Sequence, residues 1–353
     1  MLLAATGCTG AEKVRKPAVA GAFYPADPKE LAAMVDGFLA QAKAPEIKDV
    51  VAVVSPHAGY VYSGPVAAYS YALVKGRKID RVVVLSPSHV ESFGFSAVFD
   101  GTAYATPLGQ IPVDQTFCAK LGAAGPLVKL SSRGHTVTGE RSEHALEVQL
   151  PFLQRVLSKF TLVPVVMGDQ SYEASRALGR ALAKLIQRPG TLIVASSDLS
   201  HYHPYAEAVR LDRRTLRAIE EFDYLSLARN LELRVWEACG GGPIVAAMIA
   251  AEELGAAKAT LLQYANSGDT AGDKDRVVGY GALAFSKPAA AGGAAFSLTD
   301  AEKRELLSLA RRSVESAVKG HKLYDYQLAG SDALTQERGA FVTLKEKGAL
   351  RGC

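Results

Sequence analysis

The stretch TLIVASSDLSHYHP (residues 191–204) changes character at its midpoint, and this change indicates both the fold and the place of a site. Its first half is apolar and β-branched, which is typical of a strand buried on both faces. Its second half carries Asp198, His201 and His203 within a few residues. A core strand that ends in proton- and metal-binding side chains predicts a functional site at its carboxyl end.

The same kind of apolar run recurs along the chain, with helical patterns between the runs. Three such runs precede residue 191 and one follows it; they are residues 50–55, 81–86, 160–168 and 277–286. Strands that alternate with helices predict an α/β fold with a central, mostly parallel or mixed sheet and helices on both faces.

Three helices are predicted between and after these strands. The first has a stripe of Ala177, Ala181 and Leu185 and is ended by Pro189-Gly190. The second covers residues 211–230. The third has Pro243 near its first position and Gly255 after its end, which is the usual asymmetry of helix termini.

Two further strands also end in histidines. The strand at residues 50–55 leads into SPHAGY with His57, and the strand at 81–86 leads into SPSHV with His89. Because the carboxyl ends of the strands of an open α/β sheet line one crevice, we expect these histidines to meet Asp198 and His201. Cys239, just before the third helix, is expected to join them, with its thiol pKa lowered by the helix dipole.

Two imidazoles and a thiolate or carboxylate can hold a first-row transition metal and leave positions open for a substrate. Zinc, iron and copper accept such a set, whereas a soft thiolate argues against magnesium and calcium. His201 or Asp198 could donate or accept a proton beside the metal.

Structural roles stay open for several of these residues. Cys239 could be a small buried apolar side chain, and His203 a loop residue. The glycines of CGGGP could cradle an anion or allow close packing. Glu143, His144 and Glu147 begin a predicted helix, either as first-turn groups or as supports of the ligands. The remaining candidates are expected to be structural, or, for the last one, meaningful only after N-terminal processing: Cys118, His321 and Cys8.

Composition narrows the class of protein. The 353 residues are 48% hydrophobic and 22% charged, with a net charge of +4 and no dense Lys/Arg block, which argues against nucleic acid as the main partner. No apolar stretch approaches the roughly 20 residues of a membrane span. Scattered cysteines favour a reducing, cytoplasmic location. The start MLLAATGCTG resembles the end of a lipoprotein signal, so a lipid-anchored or exported protein is the alternative if the true N-terminus is longer.

The composition changes near the end of the chain. SKPAAAGGAAFS (residues 286–297) is typical of a linker, and Thr299 with Glu302 predicts a capping box. The helix that follows is expected to bury Leu306, Ala310 and Val314, and the final residues predict a hairpin. We therefore predict one domain over residues 14–286, a linker over 287–296, and the first part of a second, α+β domain over 297–353.

Several ordered motifs resemble the Memo family over residues 14–286. They are KPAVAGAFYPADP, SPHAGYVYSG, LSPSH, SEHALEVQLPFL and SSDLSHY. The segment from LTDAEKRELLSLAR to ERGAFVTLKEKGALRGC resembles the start of an AMMECR domain. The two families occur fused or side by side with a radical-SAM partner, in the AmmeMemoRadiSam grouping, so the resemblance implies a radical-SAM partner protein.

The Memo family is similar in fold to the class III extradiol dioxygenases, which are non-haem iron enzymes. The resemblance implies that His57 and His89 are metal ligands and that Cys239 stands where the dioxygenases have a glutamate. It also implies that His201 handles protons, with Asp198 beside it. Because a thiolate changes the electronics of iron and is itself oxidisable, the resemblance does not imply ring cleavage.

The sequence supports three functions. The first is a metal-binding protein that holds iron or copper on His57, His89 and Cys239 and carries out redox or oxygen chemistry on an unknown small molecule or modified residue. The second is a non-catalytic module that binds a peptide or protein in the same cleft. The third is metal-free hydrolysis or acyl transfer, with Cys239 as nucleophile and His201 or His57 as base.

Overall fold

The computed structural model describes residues 13–137, 142–288, 298–320, 344–346 and 349–352. Cys8, His321 and most of the predicted linker lie outside these residues. The chain divides into two compact units, Met1–Ala289 and Ala290–Cys353. The first unit contains, in order, β1 Val14–Arg15, α1 Pro28–Gln41, β2 Val50–Ser55, α2 Tyr60–Ala72, β3 Arg81–Pro87, β4 Ser96–Val98, β5 Ala103–Thr106, β6 Gly109–Pro112, α3 Gln115–Gly122, β7 Val128–Leu130, a 3-10 turn Glu147–Gln149, α4 Leu150–Val156, β8 Thr161–Met167, α5 Tyr172–Leu185, β9 Thr191–Ser196, β10 His201–His203, α6 Tyr205–Glu220, α7 Tyr224–Glu232, α8 Gly241–Glu253, β11 Lys258–Asn266, α9 Ser267–Thr270 and β12 Val277–Ser286.

A nine-stranded mixed sheet forms the centre of the first unit. Its middle strands β2, β9, β3 and β8 lie side by side in that order and run parallel. β12 is antiparallel to β2, and β4 is antiparallel to β8. Consecutive residues of these strands are fully buried, so both faces of the sheet are covered, and α2 and α8 both pack against β2. The predicted α/β fold with a mixed sheet is confirmed.

Two helix predictions need correction. In α5 the fully buried stripe is Ala174, Leu178 and Leu182, and the predicted residues Ala177, Ala181 and Leu185 are only half-buried. The predicted helix over residues 211–230 is two helices, α6 and α7. The break falls at Phe222, whose φ of 56° places it in the left-handed region that ends helices.

The segment before α4 is also different from its prediction. Glu143 and His144 precede the 3-10 turn rather than begin a helix, and Glu147 in that turn is fully buried. The Glu147 carboxylate pairs with Arg15 and accepts hydrogen bonds from Tyr24 Oη and the Val19 backbone N–H. Glu147 therefore fixes the N-terminal segment to the 3-10 turn, whereas the sequence left open whether it is a first-turn group or a support of the ligands.

His135 is buried close to this ion pair. Its Nε2–H donates to the Ala97 carbonyl at 2.9 Å, and its Nδ1 accepts from Tyr104 Oη, so the neutral tautomer is fixed. Burial, together with the charge of Arg15, lowers the pKa of His135 to about 4. The folded protein therefore holds this imidazole neutral.

The second unit contains α10 Asp300–Gly320 and the hairpin of β13 Leu344–Glu346 with β14 Ala349–Gly352. The predicted capping box is present, because the Thr299 N–H donates to Glu302 and the Glu302 N–H donates to Thr299 Oγ1. The predicted stripe of Leu306, Ala310 and Val314 is half-buried. Within the described residues, no helix has both the length and the apolar character that crossing a membrane requires.

The lowered pKa of His135 predicts a pH dependence of stability. Between about pH 6.5 and 4 the unfolded imidazole takes up a proton that the folded one refuses, so this contribution is complete above 6.5 and is lost as the pH falls. We expect His135 to account for about 2 kcal/mol of the stability lost between pH 7 and pH 5. Urea unfolding of wild type and His135→Gln at both pH values measures the contribution of His135 to the free energy of unfolding. Glutamine can keep both hydrogen bonds but cannot titrate, so an equal pH dependence in the two proteins would contradict the prediction.

Candidate metal centre

Three adjacent strands bring the predicted residues to one edge of the sheet. Ser55 of β2 pairs with Ser196 of β9, and β9 pairs on its other side with β3. His57 and Asp198 each follow two residues after this serine pair, and His89 follows two residues after the end of β3. The carboxyl ends of β2, β9 and β3 therefore place all three side chains in one crevice, as the sequence predicts.

Hydrogen bonds fix the orientation of the His57 ring. The Ser196 hydroxyl gives its one hydrogen to the Ala145 carbonyl at 2.6 Å. His57 Nδ1, 2.9 Å from the same hydroxyl oxygen, must therefore be the donor in that contact. The lone pair of Nε2 is left facing the crevice, 3.0 Å from Cys239 Sγ. Burial and the neighbouring His89 lower the pKa of His57 well below its ordinary value, which keeps the ring neutral.

Glu143 fixes the His89 ring in the same way. Its carboxylate lies 3.1 Å from His89 Nδ1 and also accepts from the His89 backbone N–H, so Nδ1 carries the hydrogen and Nε2 is free. Burial opposes the charged imidazole, but the hydrogen bond and the charge of Glu143 outweigh it and raise the pKa of His89. Although burial opposes its charge too, His89 and backbone N–H groups hold the pKa of Glu143 at about 2.

Cys239 completes the group. Its Sγ accepts a hydrogen bond from the Asp198 backbone N–H at 3.3 Å, and its ligand atom lies within 4.8 Å of those of His57 and His89. The predicted lowering of its pKa is wrong, because burial and the charge of Asp198 raise the pKa of the thiol. The N-terminus of α8 does not overcome this desolvation.

Asp198 and His201 form an overlapping group with Cys239, again with ligand atoms within 4.8 Å. Asp198 Oδ1 accepts from the His57 backbone N–H at 2.7 Å, and burial raises the pKa of this carboxyl. His201 Nδ1 lies 2.8 Å from the Leu199 carbonyl and must donate to it. In the neutral ring, Nε2 of His201 is therefore an acceptor.

His203 lies outside these groups. Its Nε2 contacts Glu237 at 2.8 Å, and the same carboxylate accepts from the His201 backbone N–H. Cys118 is buried, and burial raises the pKa of its thiol to about 12. The sequence favoured a loop position for His203, but this residue ends the short strand β10, and Cys118 lies in α3.

His144 is the residue that the sequence left undecided and the structure places in the crevice. Its ring lies 4.8 Å from that of His89 and 5.4 Å from that of His57, measured between centroids. Its ligand atom forms a third group within 4.8 Å with those of His89 and Glu143. Two signals in the sequence pointed to it: Ser-Glu-His stands directly before an apolar run, and SEHALEVQLPFL is one of the motifs that resemble the Memo family.

The glycines of CGGGP serve close packing. The Gly240 N–H donates to Ser197 Oγ, and the Gly242 N–H donates to Gln170, so these amides are not free to bind an anion. A Cβ on Gly240 would lie 2.1 Å from the Ser196 carbonyl oxygen. This close approach holds the backbone beside Cys239 against the end of β9.

We expect Gly240→Ala to destabilise the protein by about 1–3 kcal/mol, because the added methyl group overlaps the β9 backbone. Gly37→Ala is the matched control. A Cβ on Gly37, in α1, meets nothing within 4 Å, and alanine there should stabilise by roughly 0.5–1 kcal/mol. Thermal and urea unfolding of the two variants provide the measurement. A Gly240→Ala variant as stable as wild type would contradict the prediction, because it would show that α8 can shift away from the strand at no cost.

Comparisons with known proteins place the chain in a family. Residues 15–284 match the family described as Memo-like protein, and residues 307–353 match AMMECR1. A MEMO1 family protein of Nitrosopumilus maritimus is 37% identical over 278 residues, which cover 77% of this chain and 99% of the relative. Another, from Methanosarcina mazei, is 40% identical over 280 residues, or 77% and 98% of the two chains.

Among solved structures, an uncharacterized protein from Escherichia coli K12 aligns with 14% identity and a TM-score of 0.45, over 66% of this chain and 99% of that chain. The family match covers most of the chain, and the two relatives match over nearly their whole length. The chain therefore belongs to the Memo-like protein family.

Proposed function

We propose that this protein binds iron or copper through His57, His89 and Cys239 and uses the metal for redox or oxygen chemistry on a small molecule or modified residue. One observation carries the proposal. Three ligand atoms lie within 4.8 Å of one another, and both imidazoles are already oriented by hydrogen bonds at Nδ1.

The donor set fits such an ion. Two neutral imidazoles and one thiolate suit iron and copper, and three protein ligands leave coordination positions open. Ser196 and Glu143 act as the outer hydrogen-bonding partners that metal-binding histidines usually have. When bound, iron or copper would supply one-electron chemistry at this point of the crevice.

Asp198 and His201 are the proposed proton-handling residues. Burial raises the pKa of Asp198, which favours a carboxyl that can hold a proton. His201 has an acceptor nitrogen, because its Nδ1 hydrogen is bound to the Leu199 carbonyl. The two residues lie on the Cys239 side of the crevice and could exchange a proton with a bound substrate.

The raised pKa of the Cys239 thiol makes a metal-free thiol nucleophile less favourable. The 3.0 Å contact between Cys239 Sγ and His57 Nε2 is the arrangement that such a mechanism needs. However, burial and Asp198 raise the pKa of the thiol, and attack needs the thiolate. The same proton would leave on metal binding, which the metal-binding proposal requires.

The wider setting follows from the resemblance. The pairing of a Memo-like match with an AMMECR1 match supports the radical-SAM partner protein that the resemblance implies. The proposed cytoplasmic location rests on the scattered cysteines alone. Co-purification of the full chain with such a partner is the direct measurement.

Elemental analysis by mass spectrometry of anaerobically purified protein is the first test. We expect near-stoichiometric iron or copper in wild type and at least a tenfold loss in His57→Ala, His89→Ala and Cys239→Ser, because each removes a ligand. Cys118→Ala is the matched control, since this buried thiol lies outside the three groups of ligand atoms.

Equal metal content in wild type and Cys239→Ser would contradict the thiolate ligand. A wild-type protein that contains no metal and resists reconstitution would favour the binding module instead. Exposed apolar side chains within five residues of His57, His89 or His201 in the sequence, namely Val61, Tyr62, Val90 and Tyr202, could then contact a peptide.

The role of Glu143 gives a separate prediction. Glu143→Gln removes the charge that orients His89, and we expect a 10- to 100-fold weaker metal affinity. Glu173→Gln, an exposed carboxylate on α5, is the control and should leave the affinity unchanged. Competition against a chromogenic chelator measures both. An unchanged affinity in Glu143→Gln would show that His89 does not depend on this partner.

A further inference from the structure

Of the histidines among the described residues, His144 alone has no hydrogen bond at either ring nitrogen. His57, His89 and His201 are each bound at Nδ1, His203 is bound at Nε2, and His135 at both, as the contacts above describe. The nearest carboxylate oxygen to His144 is that of Glu143, 3.6 Å from Nδ1, which is beyond hydrogen-bond distance.

The His144 ring is largely covered, but its nitrogens stay accessible. The His144 side chain is only 20% exposed and packs against the Phe23 ring at 4.5 Å. Its ring nitrogens are nevertheless not among the buried side-chain atoms that lack a partner, so neither is sealed off from water. A molecule in the crevice can therefore replace that water and bind the imidazole.

The position of the ring indicates where such a partner would lie. The His144 ring stacks on that of His89 at an interplanar angle of 22° and meets the edge of His57 at 86°. Its ligand atom groups with those of His89 and Glu143 but not with those of His57 and Cys239. His144 is therefore beside the proposed ion, on the side of His89 and Glu143.

We infer that His144 makes the hydrogen bond to a small oxygen- or nitrogen-containing molecule bound at the open position of the metal centre. The inference rests on the proposed function. Since no partner fixes its tautomer, His144 can present either a donor or an acceptor to that molecule. The ligands His57 and His89 lack this freedom, because Ser196 and Glu143 hold their tautomers.

Azide binding to the ferric form of the full chain tests the inference. Azide is a small anion that accepts hydrogen bonds, and optical titration gives its dissociation constant. We expect His144→Phe to keep the iron content of wild type and to weaken azide binding about tenfold, the effect of losing one hydrogen bond to a charged acceptor. His203→Phe is the control, because His203 lies outside the three groups, and should bind azide as wild type does.

His144→Gln extends the test if the phenylalanine variant does not fold. The amide offers a donor and an acceptor, so azide binding should return to within a few-fold of wild type. Azide binding that is the same in wild type, His144→Phe and His144→Gln would overturn the inference. Loss of iron from both variants would also overturn it, because His144 would then be a ligand. A wild-type protein that binds neither iron nor copper would instead refute the proposed function itself.

Discussion

Backbone hydrogen bonds between β2 and β9 pair Ser55 with Ser196, and the contacts around His57 follow from this register. The Ser196 hydroxyl oxygen accepts a hydrogen bond from His57 Nδ1. The carboxylate of Asp198, two positions later, accepts one from the His57 backbone N–H. A shift of β9 by one residue would turn the serine to the opposite face of the sheet. The register of the central strands therefore sets the distances across the crevice.

Segments outside the sheet complete the crevice, and a buried carboxylate holds each of them in place. Glu143 binds both the ring and the backbone of His89, so it joins the loop before α4 to the end of β3. Four residues later, Glu147 binds Arg15 and Tyr24 and holds the N-terminal segment that carries Phe23. Two carboxylates in one short segment thus place His144 between Phe23 and His89. Buried charges of this kind are stable only because each accepts several hydrogen bonds.

The sequence predicts much of this arrangement because parallel strands share one edge. His57, His89, Asp198 and His201 could be placed together from strand ends alone. The sequence left the role of Glu143 open between a first-turn group and a support of the ligands, because nothing in SEHALEVQ indicates that its first residues form a loop reaching β3. The direction of the Cys239 pKa shift was also missed, since a helix dipole can be inferred from sequence whereas the burial of the thiol cannot.

The helix errors have a similar origin in packing. In α5, a Cβ on Gly179 would lie 2.7 Å from the Ala246 carbonyl oxygen of α8. The two helices approach so closely that small residues, including Ser175, form the contact, and the apolar stripe one position along is left half-buried. The break between α6 and α7 at Phe222 was not predicted, because no glycine or proline marks it in the sequence.

The histidines of the crevice differ in whether a hydrogen bond fixes their tautomer. A metal ligand must present one lone pair in one direction, and a second hydrogen bond at the other nitrogen achieves this. His57 and His89 meet that requirement, and His201 has its own nitrogen fixed by a backbone carbonyl. A residue that must adapt to an incoming molecule has the opposite requirement, because a fixed tautomer would accept only half of the possible partners. Fixed rings on the strand ends and one unfixed ring on a loop therefore suit a centre that holds an ion rigidly and receives its substrate flexibly.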